Sequence, residues 1–393
     1  YNGNKRILLK RGDQWDVNSY TNTKGANVIL GAFGSGALPI IRTTSANHAF
    51  QLTSGASNWT LMDIKFLGGS GGSLDAIATS GPGLTNITLL RLQFDLSGGV
   101  AFSSVDGLFV VDCNGANYRG GNGYVAIYSE FSSRVAILGN RVYDATQIEH
   151  NIRMQGNLKA VISNNTLYGP AYTKQAITIR GRSNQSTGHI EQWSGVWAEQ
   201  IMISDNDIDA GPNAGQLVEF APQNTSANEP VRDVIFERNN VHGDVGNMVV
   251  TEASERVTIR NNLFAPSHTG KYAAAVISVL YKNAAGVPAP TGTYIYNNSF
   301  YRPAGSTAYF EAVGVDRLSG ASLASAVPTG TVIKNNLVYA PYSVGNDYSS
   351  SGGPALVGSY VGATWAATNN SSDFQIKNTA PGFTTPPQST SNW

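Results

Sequence analysis

Arg153, Lys174, Arg180 and Arg182 lie close together in a chain whose formal net charge is zero, and His150, Tyr128 and Tyr172 stand among them. A guanidinium grips a carboxylate through two parallel hydrogen bonds, and a lysine crowded by other cations can surrender its proton and serve as a base. With an imidazole and phenols nearby, such a set could remove a proton from the carbon next to a carboxylate and stabilise the charge that develops. Lys174 is the first choice for the base and His150 the second, although Glu149 works against Lys174 because a carboxylate favours the ammonium form. A satisfied structural histidine is the plainer reading of His150. Outward polar residues that merely solvate a sheet are the plainer reading of any one of the others.

The elements that must position these residues are short strands. Ile152 and Met154 alternate with Asn151, Arg153 and Gln155; shifted by 25 residues, Ile177 and Ile179 alternate with Ala176, Thr178 and Arg180. Alternation turns the first set inward and the second outward. Keeping the same offset in the following repeat puts Glu219 outward above Thr178, in strands stacked about 4.8 Å apart. Two columns result: Arg153, Thr178, Glu219 and Gln155, Arg180, Ala221. Just ahead of the strand, Glu149 falls under Lys174 and His150 under Gln175. Tyr124, Tyr128 and Glu130 belong to the preceding repeat, with Glu130 offset along its strand.

The repeat itself is carried by a corner. The spacing apolar, two residues, Asn, one residue, apolar occurs at Ile137/Asn140/Val142, Ile162/Asn165/Leu167 and Ile203/Asn206/Ile208. It returns at Phe236/Asn239/Val241, Ile259/Asn262/Phe264, Ile295/Asn298/Phe300 and Ile333/Asn336/Val338. Earlier in the chain the slot is apolar, at Ile64, Leu92 and Cys113. Separations of 28, 21, 27, 25, 41, 33, 23, 36 and 38 residues mean constant strands and variable loops. That pattern defines an all-β solenoid, a single-stranded right-handed parallel β-helix with an inward asparagine ladder. Each ladder Asn can tolerate a tight turn conformation and bond to neighbouring backbone, making a ladder along the axis. The solenoid is assigned to residues 1–340, and residues 341–393 to a C-terminal cap and tail packed on it. An open end would otherwise expose strand edges.

Composition narrows the function. With 43 Gly and 13% charged residues, the chain has too little helical periodicity for an α/β enzyme. Zero net charge gives no support for nucleic acid or anionic membrane as a partner, and no apolar run approaches the roughly 20 residues of a membrane span. The lone Cys113 permits no internal disulfide and reads as a core filler. The chain opens at Tyr1 close to a strand, as expected where an export signal or a helical cap has been removed; a secreted monomer is the expectation. The longest repeat, Asn165 to Asn206, carries an insertion over 182–198 with Trp193 and Trp197. It is expected to overhang the face bearing Arg153 and Arg180 and to form one wall of a cleft.

The rungs NIRMQ (151–155) and ITIRG (177–181) resemble those of the β-helix polysaccharide lyases that act on alginate and dermatan-type chains. The architecture matches over most of the chain, the site motifs over a short part. The resemblance implies β-elimination on a uronate-containing polysaccharide, an anionic partner. Arg180 then matches the family's catalytic arginine, with Arg153, Gln155, Asn151, Tyr128, Arg182, Trp193 and Trp197 as substrate-binding residues. Where the family has its catalytic lysine this chain has Gln155, with Lys159 displaced into a turn, so the base falls to Lys174, His150 or a tyrosine such as Tyr172. No cofactor is required by this reading, but the family's use of calcium makes Glu219 a candidate metal ligand. A β-helix glycoside hydrolase using Glu149 and Glu219 is the alternative, and a non-catalytic carbohydrate-binding surface protein the third.

Overall fold

The computed structural model describes residues 3–18, 21–44, 48–68, 75–119, 125–143, 149–170, 174–182, 197–211, 216–223, 229–245, 247–267, 275–280, 288–301, 311–315, 328–339, 345–347, 355–359 and 371–377. The chain forms two compact units, one holding Tyr1–Tyr172 and the other Thr173–Ser183 with Val196–Trp393. Each is a stack of coils with a long, a short and a third strand, and all the pairings described are parallel. Among the described residues there is no helix.

In the first unit a complete coil runs Val105–Val111, Asn114–Ala116, Val125–Glu130, and the next runs Ser133–Leu138, Arg141–Val142, His150–Gln155. Long strand pairs with long strand, short with short and third with third, so side chains on one strand sit in column with those of its neighbours. The second unit repeats this with third strands Ile177–Gly181, Gln216–Pro222, Asn247–Glu252 and Ala275–Leu280. Beyond residue 340, Ala355–Ser359 pairs in register with Glu311–Val315, and Ser371–Lys377 pairs with Val332–Tyr339 across a register shift between Ile333 and Asn336. The strand pattern therefore continues into the stretch read from sequence as cap and tail.

Inward columns make the core. Phe66 stacks on Phe94 with centroids 5.7 Å apart in the first unit, and Phe264 on Phe300 at 5.2 Å in the second. Gly115 stands in the column of Phe94 and Val142, and the buried Tyr118 fills the hollow: its hydroxyl lies 1.7 Å from where a Cβ would be.

The seven ladder asparagines are all buried, as are Ile64, Leu92 and Cys113 in the same slot. In the first unit Asn140 donates through Nδ2 to Asn165 Oδ1 at 2.9 Å, and the Cys113 backbone N–H donates to Asn140 Oδ1. In the second unit the chain of bonds runs from Asn206 through Asn239, Asn262 and Asn298 to Asn336. The tight turn falls on the neighbouring residue. The left-handed residue is the one before each ladder Asn, such as Asn164 (φ 57°), Asp205 (58°), Arg238 (53°) and Asn261 (56°). The exposed residue absorbs the turn, which leaves the ladder Asn free to aim its carboxamide inward. A second left-handed position lies inside most of the long strands or just ahead of them, and in the early coils it builds an exposed amide ladder, Asn86 to Asn58 to Asn27 to Asn4, at 2.8–2.9 Å per step.

Candidate functional site

The third strands differ from the long strands in burial. Ser254–Arg260 alternates between buried and partly exposed residues, as a sheet with one wet face does. Asn247–Glu252 and Ala275–Leu280 are shielded on both faces, with outward Met248, Val250 and Val276 fully or almost fully buried. Outward polar and charged side chains concentrate on Val125–Glu130 and His150–Gln155 in the first unit and on Ile177–Gly181 and Gln216–Pro222 in the second. The outward face is not the solvated surface alternation suggested: Asn151, Gln155, Thr178 and Glu219 are all buried. Buried polar groups need partners, and the two clusters below show how these are met.

In the first unit Tyr128 is the register partner of Arg153 and Glu130 that of Gln155. Glu130, read from sequence as offset, therefore stands in the column of Gln155. The Tyr128 hydroxyl lies 2.6 Å from Glu130 Oε2 and 2.8 Å from the Gln155 carboxamide, and the Arg153 guanidinium lies 6.0 Å from the Tyr128 ring centroid. Arg153 Nη1 donates to Glu149 Oε2 at 3.2 Å, and the buried His150 brings Nε2 to 3.9 Å from the same oxygen. Asn151 donates through Nδ2 to the Tyr168 carbonyl at 3.4 Å.

In the second unit Thr178 pairs in register with Glu219 and Arg180 with Ala221, as the columns required. Arg180 donates through Nε to Thr178 Oγ1 at 3.0 Å, through Nη1 to the Pro222 carbonyl at 3.0 Å and through Nη2 to Glu219 Oε2. A guanidinium has five N–H donors. Three are committed, and each terminal nitrogen keeps one with no partner among the described residues. Lys174 is half-buried just ahead of the strand, next to Gln175, whose carboxamide meets that of Gln216 at 3.3 Å. Arg182 is half-buried just after it. Glu252, which sequence reasoning passed over, is buried and outward, two residues beyond the register partner of Glu219.

Trp197 is held away from such duty on one ring face, where the Arg232 guanidinium stacks at 3.6 Å. Lys159 takes a left-handed conformation in the long strand Leu158–Ser163, outside the third strands. Tyr124, Tyr172, Trp193 and the body of the 182–198 insertion lie outside the described residues. As a calcium ligand Glu219 fits poorly: its Oε2 already holds Arg180, so a cation there would face a guanidinium. No group of three or more His, Cys, Asp or Glu among the described residues is arranged to hold a metal ion.

No protein-family model and no curated protein matches the chain in sequence. In three dimensions it is similar to the A-module of the Azotobacter vinelandii mannuronan C-5 epimerase AlgE6, at 13% identity and a TM-score of 0.56, over 98% of this chain and 91% of that one. It is also similar to the Dettilon tailspike protein, at 13% identity and a TM-score of 0.56, over 93% of this chain and 64% of that one. A complex of the alginate lyase AlyF-OU02 with G6 gives 12% identity and a TM-score of 0.50, over 91% and 79%. Likeness at this level of identity is a likeness of fold: the chain is a right-handed parallel β-helix.

Proposed function

We propose that the chain is an exported polysaccharide lyase that cleaves a uronate-containing, alginate-like polymer by β-elimination on the outward face of its third strands. The observation that carries this reading is Arg180. Its guanidinium is fixed by Thr178, Pro222 and Glu219, is largely shielded from water, and keeps on each terminal nitrogen one donor without a partner among the described residues. Those two donors suit a carboxylate, and neutralising that carboxylate makes the proton at C5 removable, because the negative charge developing on the enediolate meets a preorganised cation. A polyuronate offers such a carboxylate on every sugar. Fold neighbours whose names include a mannuronan epimerase and an alginate lyase agree with an anionic sugar polymer as partner. Arg180→Ala, with the fold verified, tests the reading: turnover of polymannuronate and polyguluronate should fall by about 100-fold or more, the scale of a lost charge-stabilising donor.

Glu219 and Glu252 favour a second reading, hydrolysis. Both are buried carboxylates on the outward face of adjacent strands. One strand spacing combined with a two-residue advance sets their Cα atoms about 8 Å apart. Glycosidases place two carboxyl groups about 5–9.5 Å apart across the scissile bond, a range that two glutamate side chains can reach from backbones this far apart. New reducing ends without an unsaturated uronide would select this reading.

A further inference from the structure

We propose that Glu252 is the base of the eliminating reaction, taking the proton from C5 and handing it to the leaving oxygen; this rests on the lyase reading above. Every side chain involved belongs to the second unit. Its third strands pair Arg180 with Ala221, and then Glu219 with Val250 and Phe220 with Thr251. One step further along the last pair puts Glu252 beside Ala221, so Arg180, Ala221 and Glu252 share one outward column. The Arg180 side chain leans along that column. Its Nη1 donates to the Pro222 carbonyl at 3.0 Å and its Nη2 to Glu219 Oε2, both on the strand Gln216–Pro222. The guanidinium therefore lies across that strand at the level of the fully buried Ala221, and Glu252 stands on the next strand, about 4.8 Å further along the stack.

That spacing suits the chemistry. A uronate carboxylate held by the guanidinium sits about 2.8 Å from its nitrogens, and the C5 proton is two bonds from the carboxylate carbon, so the base must stand within about one rung of the arginine. Glu219 is committed elsewhere, with Oε2 bonded to Arg180 and 3.5 Å from Thr178 Oγ1. Lys174 precedes Gln175, whose carboxamide meets that of Gln216, and is roughly 16 Å or more upstream of Arg180, whose guanidinium leans the other way. Glu252 is buried between outward Val250 and its register partner Leu280, both apolar and buried, which keeps bulk water from the carboxylate on those sides.

The step balances on this one carboxylate. Glu252 takes the proton from C5, the C5–H electrons become the C4=C5 double bond, and the C4–O4 bond breaks with its electrons going to O4. The acid so formed gives the same proton to O4, which leaves as the hydroxyl of a new reducing end, and the carboxylate is restored. No oxidant or further reactant is needed. A single group serving both ends of the step works on one side of the ring, so C5–H and C4–O4 must share that side. They do in mannuronate and do not in guluronate, its C5 epimer, which makes polymannuronate the expected substrate.

Polymannuronate and polyguluronate are the probes. Glu252→Gln should lower kcat on polymannuronate by about 100-fold or more while KM moves by less than about threefold, the scale of a lost acid–base group. The residual activity should also lose the fall of kcat toward acid that protonation of the base imposes on the wild-type protein, which a packing role would not explain. Glu252→Asp keeps a carboxylate drawn back by one methylene, so it should give an intermediate kcat and retain that fall. This variant also keeps the test open if Glu252→Gln does not fold. Wild-type kcat in either variant, with loss in Arg180→Ala, would overturn the role of Glu252 and leave the lyase reading standing. Unsaturated product from polyguluronate alone would likewise overturn it. Absence of unsaturated product from the wild-type protein on both polymers would remove the lyase reading as well.

Discussion

Asn262→Ala is the sharpest test of what holds the second unit together. The Asn262 carboxamide makes four hydrogen bonds: Nδ2 donates to the Phe236 carbonyl at 2.9 Å and to Asn298 Oδ1 at 3.0 Å. Its Oδ1 accepts from the backbone N–H of Asn239 at 2.9 Å and from Asn239 Nδ2 at 3.1 Å. Alanine leaves the Asn239 amide and the Phe236 carbonyl buried with these bonds unmade. Each such orphan costs roughly 1–3 kcal/mol, so about 3 kcal/mol is a conservative sum once some relaxation is allowed. In a solenoid each coil contacts only its neighbours, so the loss should appear locally before it appears globally. Hydrogen exchange at the Asn239 amide is therefore the assay. With tenfold per 1.4 kcal/mol, its protection should drop about 100-fold. Amides of Leu84–Leu90, which belong to the first unit, should be unchanged. Protection at Asn239 that stays within about threefold of wild type would refute the view that buried ladder bonds, rather than apolar stacking alone, secure the corner.

Three further expectations follow from particular residues. Arg180→Lys should not restore the activity that Arg180→Ala loses, because an ammonium cannot present the two-pronged donor edge; steady-state kinetics on polyuronates checks this. Burial raises the Asp75 carboxyl to about 7, so the folded state keeps a proton there that the unfolded chain has already released at lower pH. The stabilisation this group allows is complete below the unfolded value of about 4 and is lost as pH rises toward about 7. Asp75 is only half-buried overall, so the slope should be a fraction of the full linkage, and Asp75→Asn should flatten it in denaturant titrations across that window. Burial likewise pushes the Cys113 thiol up to about 12, with Sγ 3.4 Å from the Val111 carbonyl. A thiol reagent should therefore label it only after denaturation.

Much of the fold could be read from the chain because the corner is a strict chemical signal. An inward position one coil long accepts either a side chain that is apolar or one that satisfies its own hydrogen bonds, and Asn140 to Asn336 mark it unmistakably. The columns Thr178/Glu219 and Arg180/Ala221 followed from counting offsets, since pairing in a parallel stack keeps register. Other features needed coordinates. Alternation says which way Asn151, Gln155 and Glu219 point but not whether that face is wet, and all three are buried. That the tight turn belongs to the exposed residue before each ladder Asn also needed coordinates, because sequence alone does not separate the residue that bends from the one that bonds. The exposed ladder of Asn27, Asn58 and Asn86 had a usable signal, an Asn directly before the apolar start of each early long strand. Glu130 was misplaced because the loop before Val125–Glu130 hides its register with His150–Gln155, and with it the contact between Tyr128 and Gln155.

The central claim is that this β-helix breaks uronate polymers by elimination, and one sample decides it. Wild-type protein is incubated with polymannuronate and, separately, polyguluronate, while the ultraviolet band of the C4=C5 uronide and the release of reducing ends are followed together. Both should rise in step on at least one polymer, and neither should rise with Arg180→Ala. Reducing ends appearing without the ultraviolet band, or activity surviving in Arg180→Ala, would contradict it.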